Sequence, residues 1–181
     1  MEDVQRLFFA SHGAEKMFYD LRMGPQMILD QRTLYIVYQA NAEAVFADPY
    51  IVVYHLDTGE FSPPVQVGLV DRSNFDHHLC PVLWMDAEGY LHVLFNCHGD
   101  EGIHRISVKP RDIHDWRDGP PPAKSISYPH IFVRPNGGIV LFARAYGHMG
   151  YRYYCVSNDG GYQWSQAVRV IDYDQDPTSD A

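Results

Sequence analysis

Short apolar runs separated by tight polar turns organise the chain. Residues 26–30 and 34–38 flank the turn Gln31-Arg32-Thr33, and residues 80–85 and 90–95 flank Asp86-Ala-Glu-Gly89. Residues 130–134 and 139–142 flank Pro135-Asn-Gly-Gly138. Gly and Asn tolerate positive φ, so these turns have a physical basis. The runs are short and mostly apolar, which predicts strands covered on both faces rather than helices.

Gly89 and Gly138 are about 50 residues apart, and the first turn lies a similar distance upstream. A repeat of that length, with several strands in each unit, predicts a β-propeller. Further strands are expected at 50–54, before the turn Asp57-Thr-Gly59, and at 104–108, before a loop ending at Trp116. Two more fall at 151–156, leading to Asp159-Gly-Gly161, and at 167–171. Residues 118–124, with three prolines in a row, read as a connection between blades. The expected fold is therefore all-β, built of four-stranded antiparallel blades at about 18–68, 75–117 and 126–172, followed by a disordered acidic tail at 173–181. Ser157-Asn-Asp159-Gly-Gly161-Tyr-Gln-Trp164 fits the Asp box of sialidase-like propellers. In that motif Asp159 is expected to bond N–H groups across the turn, Gly161 to supply an unusual φ, and Trp164 to pack between strands. A propeller needs about four to eight blades to bury their faces. Three blades imply an incomplete ring, closed by further blades of a longer product or by a second copy.

Composition adjusts this picture only slightly. The 181 residues are 46% hydrophobic and 14% aromatic, with 13 Tyr, a mixture that favours strands. A net charge of −9 argues against nucleic acid as a partner. No apolar run is long enough for a membrane span, and the first residues lack the pattern of a signal peptide. Cys80, Cys97 and Cys155 suggest buried thiols rather than a disulfide framework. No cofactor is called for. A structural zinc or calcium has no clear motif behind it, since His104, His114, His148 and Cys155 match no metal spacing.

Strand counting brings four polar side chains to one rim. His78 lies before the second turn about as far as His98 lies after it, and Tyr128 and Arg144 bracket the third turn in the same way. This set suits β-elimination from a uronic acid. Arg144 can neutralise the carboxylate, His78 and Tyr128 can take the C5 proton and protonate O4, and His98 can orient them. Each alone also fits a structural role at a blade end. His77 should point to the opposite face of its strand, and His92, within an apolar run, reads as a satisfied core histidine. Arg22 and Asn41, roughly one repeat before His78 and His98, are candidates for substrate binding.

The segments Asp76-His-His78-Leu-Cys-Pro-Val-Leu, Gly89-Tyr-Leu-His-Val-Leu-Phe-Asn-Cys-His98-Gly, Ser127-Tyr128-Pro and the Arg144 strand resemble the BNR-repeat family that includes the ulvan lyases. The resemblance runs from about residue 18 to 172. It implies part of a seven-bladed propeller and β-eliminative cleavage of an anionic, uronate-containing polysaccharide. It places the family's active-site histidines on His78 and His98, its catalytic tyrosine on Tyr128 and its neutralising arginine on Arg144. Family members are usually secreted or periplasmic. Two other readings stand beside this one. A sialidase-like hydrolase would need an arginine triad and a Phe-Arg-Ile-Pro motif, and that motif is missing. A non-catalytic propeller binding glycan or protein would use Tyr and Trp side chains at the channel mouth.

Overall fold

The computed structural model describes residues 6–9, 26–40, 48–71, 78–146 and 150–172. Among these residues there is no helix, so none is long and apolar enough to cross a membrane. Three antiparallel sheets follow one another along the chain. The first holds β1 (Gln26–Asp30), β2 (Thr33–Ala40), β3 (Asp48–His55), β4 (Glu60–Phe61) and β5 (Val65–Gln66). The second holds β6 (Val82–Met85), β7 (Leu91–Phe95), β9 (Ile103–Ser107) and β10 (Trp116–Asp118). The third runs from β14 (Val168–Ile171) through β13 (Arg152–Ser157), β12 (Ile139–Arg144) and β11 (Ile126–Val133) to β8 (His98–Asp100).

Two of the three sheets therefore depart from the expected four strands. In the first, two short strands share the outer edge of β3. In the third, β8 arrives from the segment between β7 and β9 and pairs with β11. The loop after β9 ends at Trp116, which opens β10, a further strand paired with β9.

Strand periodicity explains how the sheets stack. In the second sheet, alternate residues face opposite ways. Leu83, Leu91, Val93 and Phe95 pack with Tyr35, Val37, Ile51 and Val53 of the first sheet. Val82, Trp84 and Leu94 pack with Ile139, Leu141, Ala143, Tyr153 and Cys155 of the third. This sheet is buried on both faces, as its unbroken apolar runs require. Strand β1 departs from that expectation, leaving Met27 59% and Leu29 60% exposed. On the first sheet, Phe9 packs edge-on to Tyr38 at 5.0 Å and against Phe61 at 5.5 Å.

The Asp-box turn joins the third sheet to the second. Asp159 Oδ1 accepts the N–H groups of Tyr162 (3.1 Å) and Gln163 (2.9 Å) and the Ser157 hydroxyl (2.7 Å). Gly161 has φ +117°, and a Cβ there would lie 2.9 Å from Trp84 Cζ2. Trp164 meets Trp84 edge-to-face at 6.1 Å and donates to the Gly161 carbonyl. Trp84 in turn donates to the Gly160 carbonyl at 2.8 Å.

A buried polar chain completes this joint. The Pro120 carbonyl can only accept, so His104 Nδ1 carries the proton between them (2.9 Å). His104 Nε2 then accepts from His92 Nδ1 at 3.0 Å. His92 Nε2 faces Asp86 Oδ2 at 3.3 Å. The same oxygen accepts the Tyr162 hydroxyl at 3.1 Å, and Asp86 Oδ1 accepts the N–H groups of Glu88 and Tyr90. Burial opposes the Asp86 charge, but His92, Tyr90 and Tyr162 together hold the carboxyl below its ordinary range. Burial pushes His92 down against the pull of Asp86, and it pushes His104 down to about 3. His92 is a core histidine with partners on both ring nitrogens.

Candidate active site

The site is assembled by one exchange of strand between sheets. At the end of β7, Asn96 adopts φ +61°, and its Oδ1 accepts the Asp71 N–H at 3.0 Å. The chain turns there, runs through buried Cys97, and enters β8 beside β11. Gly102, at φ +72°, lets it return to β9. A Cβ there would collide with Cys97 Sγ and lie 3.0 Å from the Phe95 carbonyl. His98 therefore does not end a strand of the second sheet. It opens a strand of the third.

Cross-strand register then aligns the functional groups. Ser127 of β11 is paired with His98 on one side and with Arg144 on the other. Paired residues share a face of the sheet, so His98 and Arg144 flank Ser127 on one face. The β11–β12 register shifts between Ser127 and His130, and Tyr128 has φ +50°. Pro129 sits in this irregularity, where its missing N–H costs no ladder bond. The irregularity turns the Tyr128 ring toward its neighbours. The Arg144 guanidinium carbon lies 4.7 Å from the centre of that ring, and both residues are buried.

His78 enters from the segment preceding β6. Its ring stacks on His98, centroid to centroid 4.8 Å at 28°. Tyr128 meets His78 edge-on at 5.7 Å and His98 at 5.9 Å. Two imidazoles, a phenol and a guanidinium thus form one contiguous cluster drawn from three segments. The cluster offers a cation for an anion, two imidazoles with ring nitrogens that can donate or accept, and a phenolic O–H.

The other sequence candidates fall elsewhere. Arg22 and Asn41 lie outside the described residues, as do His77, His148 and the tail 173–181. His104 is occupied by His92 and Pro120, and Cys155 lies in the core between the second and third sheets. Among the described residues, no group of three or more His, Cys, Asp or Glu is arranged to hold a metal. Sequence reasoning missed Ser127, the centre of the row. The mid-strand Pro129 was the signal that could have marked the irregularity beside it.

The chain is similar in sequence and fold to known proteins. An ulvan lyase of Nonlabens ulvanivorans is 27% identical over 169 residues, covering 81% of this chain and 35% of that protein. An ulvan lyase of Alteromonas sp. (strain LOR) is 28% identical over 168 residues, covering 81% of this chain and 34% of that protein. A solved polysaccharide lyase, an ulvan lyase bound to -[GlcA(1-4)Rha3S]-, superposes with a TM-score of 0.81 at 26% identity, covering 91% of this chain and 41% of that one. The chain thus spans about a third of the length of the curated relatives it matches. A model of the BNR repeat-containing family matches residues 30–176. That match takes in the second and third sheets and the first from Asp30 onward, and the chain belongs to the BNR repeat-containing family.

Proposed function

We propose that this chain carries the reacting groups of a polysaccharide lyase that cleaves a uronate-containing, ulvan-type polymer by β-elimination. The observation that carries this reading is the single cluster of His78, His98, Tyr128 and Arg144. In the proposed reaction the uronate carboxylate binds Arg144, which stabilises the negative charge that develops when C5 loses its proton. His78 takes that proton through a neutral imidazole nitrogen. The electron pair forms the C4–C5 double bond, and the C4–O4 bond breaks. Tyr128 donates its hydroxyl proton to the departing O4. His98, stacked on His78, orients it. The similarity to ulvan lyases supports this assignment of substrate.

The three sheets are read as three blades, at about 18–68, 75–117 and 126–172, of a propeller whose further blades, or a second copy, close the ring. Under this reading β8 belongs to the channel-side edge of the third blade. The test is direct. The full gene product, incubated with ulvan, should generate the ultraviolet absorbance of an unsaturated uronate, and Tyr128→Phe and His78→Ala should suppress it. Glycan binding without turnover, unaffected by either change, would instead favour a binding propeller.

A further inference from the structure

A second polar and aromatic site adjoins the cluster. Tyr146 follows Arg144, the last residue of β12, by two positions. It is 66% exposed and holds φ +54°. A bulky residue in that conformation is strained. The conformation is fixed by a hydrogen bond from the Tyr146 N–H to Ser125 Oγ at 3.0 Å. The Ser125 carbonyl accepts the Tyr153 hydroxyl at 2.8 Å, so the shelf is tied to the segment that leads into Tyr128. Tyr151 supports Tyr146 at 5.9 Å, and its own face is taken by the Arg169 guanidinium at 4.0 Å. The ring of Tyr146 is thus the one offered outward.

Beside this shelf lies a cavity of about 320 Å³, whose wall includes Lys124, Ser125, Tyr146, Tyr151, Ser165 and Gln166. An exposed aromatic ring, the Gln166 amide and an exposed lysine together match the chemistry of a sugar ring bearing a negative charge. Against a net charge of −9, a local cation is what an anionic polymer would need in order to settle there.

We propose that this cavity is a binding subsite for an anionic sugar, one or two residues along the polymer from the bond cleaved at the Tyr128 cluster. Tyr146 supplies the stacking face, Lys124 pairs with a sulfate or carboxylate, and the Gln166 side-chain amide takes the sugar hydroxyls. The inference rests on the lyase reading for its polymer, but its geometry is independent of the cluster's chemistry.

The test uses the full gene product with Tyr146→Asn and Lys124→Ala. Asn tolerates the left-handed conformation, so the first change removes the ring without adding strain. For polymeric ulvan, KM should rise about tenfold with Tyr146→Asn and about threefold with Lys124→Ala, with kcat unchanged. The shortest cleavable oligosaccharide, which does not reach the shelf, should show no difference. An unchanged polymer KM in both variants would overturn the proposal. If the unaltered protein turns nothing over, calorimetric titration with the same polymer decides. Binding weakened by Tyr146→Asn sustains the subsite while the lyase reading fails, and absent or unaltered binding overturns the subsite as well.

Discussion

The guanidinium carbon of Arg144 sits 4.7 Å from the centre of the Tyr128 ring, although the two residues belong to neighbouring strands whose register breaks between them. The contact places a permanent cation against the face of the phenol. It also means that removing either side chain would loosen the other.

In the proposed reaction Tyr128→Phe keeps the ring and its contact with Arg144 but removes the proton donor. Turnover should fall by about 10²- to 10⁴-fold, the range for loss of a general acid. The thermal midpoint should change little. A fall in activity that merely tracks a loss of folded protein would point to a structural role.

Arg144→Lys keeps the charge and loses the planar fork. Lysine cannot form the bidentate pair with a carboxylate that arginine forms. Turnover of a uronate polymer should therefore fall sharply, with KM rising. Steady-state kinetics across polymer concentrations would separate the two effects.

The joint between the second and third sheets depends on Gly161. Its φ is +117°, and Trp84 Cζ2 lies only 2.9 Å from where a Cβ would stand. Alanine there should strain the backbone and push against a buried indole. Gly161→Ala is expected to cost about 2 kcal/mol or more. Urea unfolding followed by tryptophan fluorescence would read this loss directly.

Stability should also depend on pH through His104. Burial pushes it down to about 3, whereas in the unfolded chain it titrates near its ordinary value of about 6.5. The folded state therefore binds fewer protons than the unfolded state between these values, and its stability rises with pH across that window. The contribution is complete above about pH 6.5 and is lost as pH falls toward 3. The slope from this one group is about 1.4 kcal/mol per pH unit in mid-window. Urea midpoints measured from pH 7 down to pH 4 should fall, and a His104→Gln variant should show a shallower decline.

The hairpins were legible in the sequence because turn chemistry is local. Gln31 and Gly89 have positive φ at the turns assigned to them, and Gly137 does so in the third turn. The convergence of His78, His98, Tyr128 and Arg144 was legible because equal distances from successive turns bring residues to one rim. The route of His98 to that rim was not. Strand β8 is three residues long and has no apolar run, so its pairing with β11 is decided by distant contacts. The chain from Pro120 through His104 and His92 to Asp86 was likewise hidden. His92 could be read as a core residue, but its partners are His104 of a different strand and Asp86 of the turn before β7.

The central claim is that His78, Tyr128 and Arg144 act together on a uronate. The most direct measurement is the ultraviolet absorbance of the unsaturated uronate released from ulvan by the full gene product, with His78→Ala and Tyr128→Phe run beside it. The expected result is a steady rise that each substitution suppresses at least about a hundredfold while the fold, judged by circular dichroism, persists. No rise with the unaltered protein, or a rise that both substitutions leave intact, would contradict it.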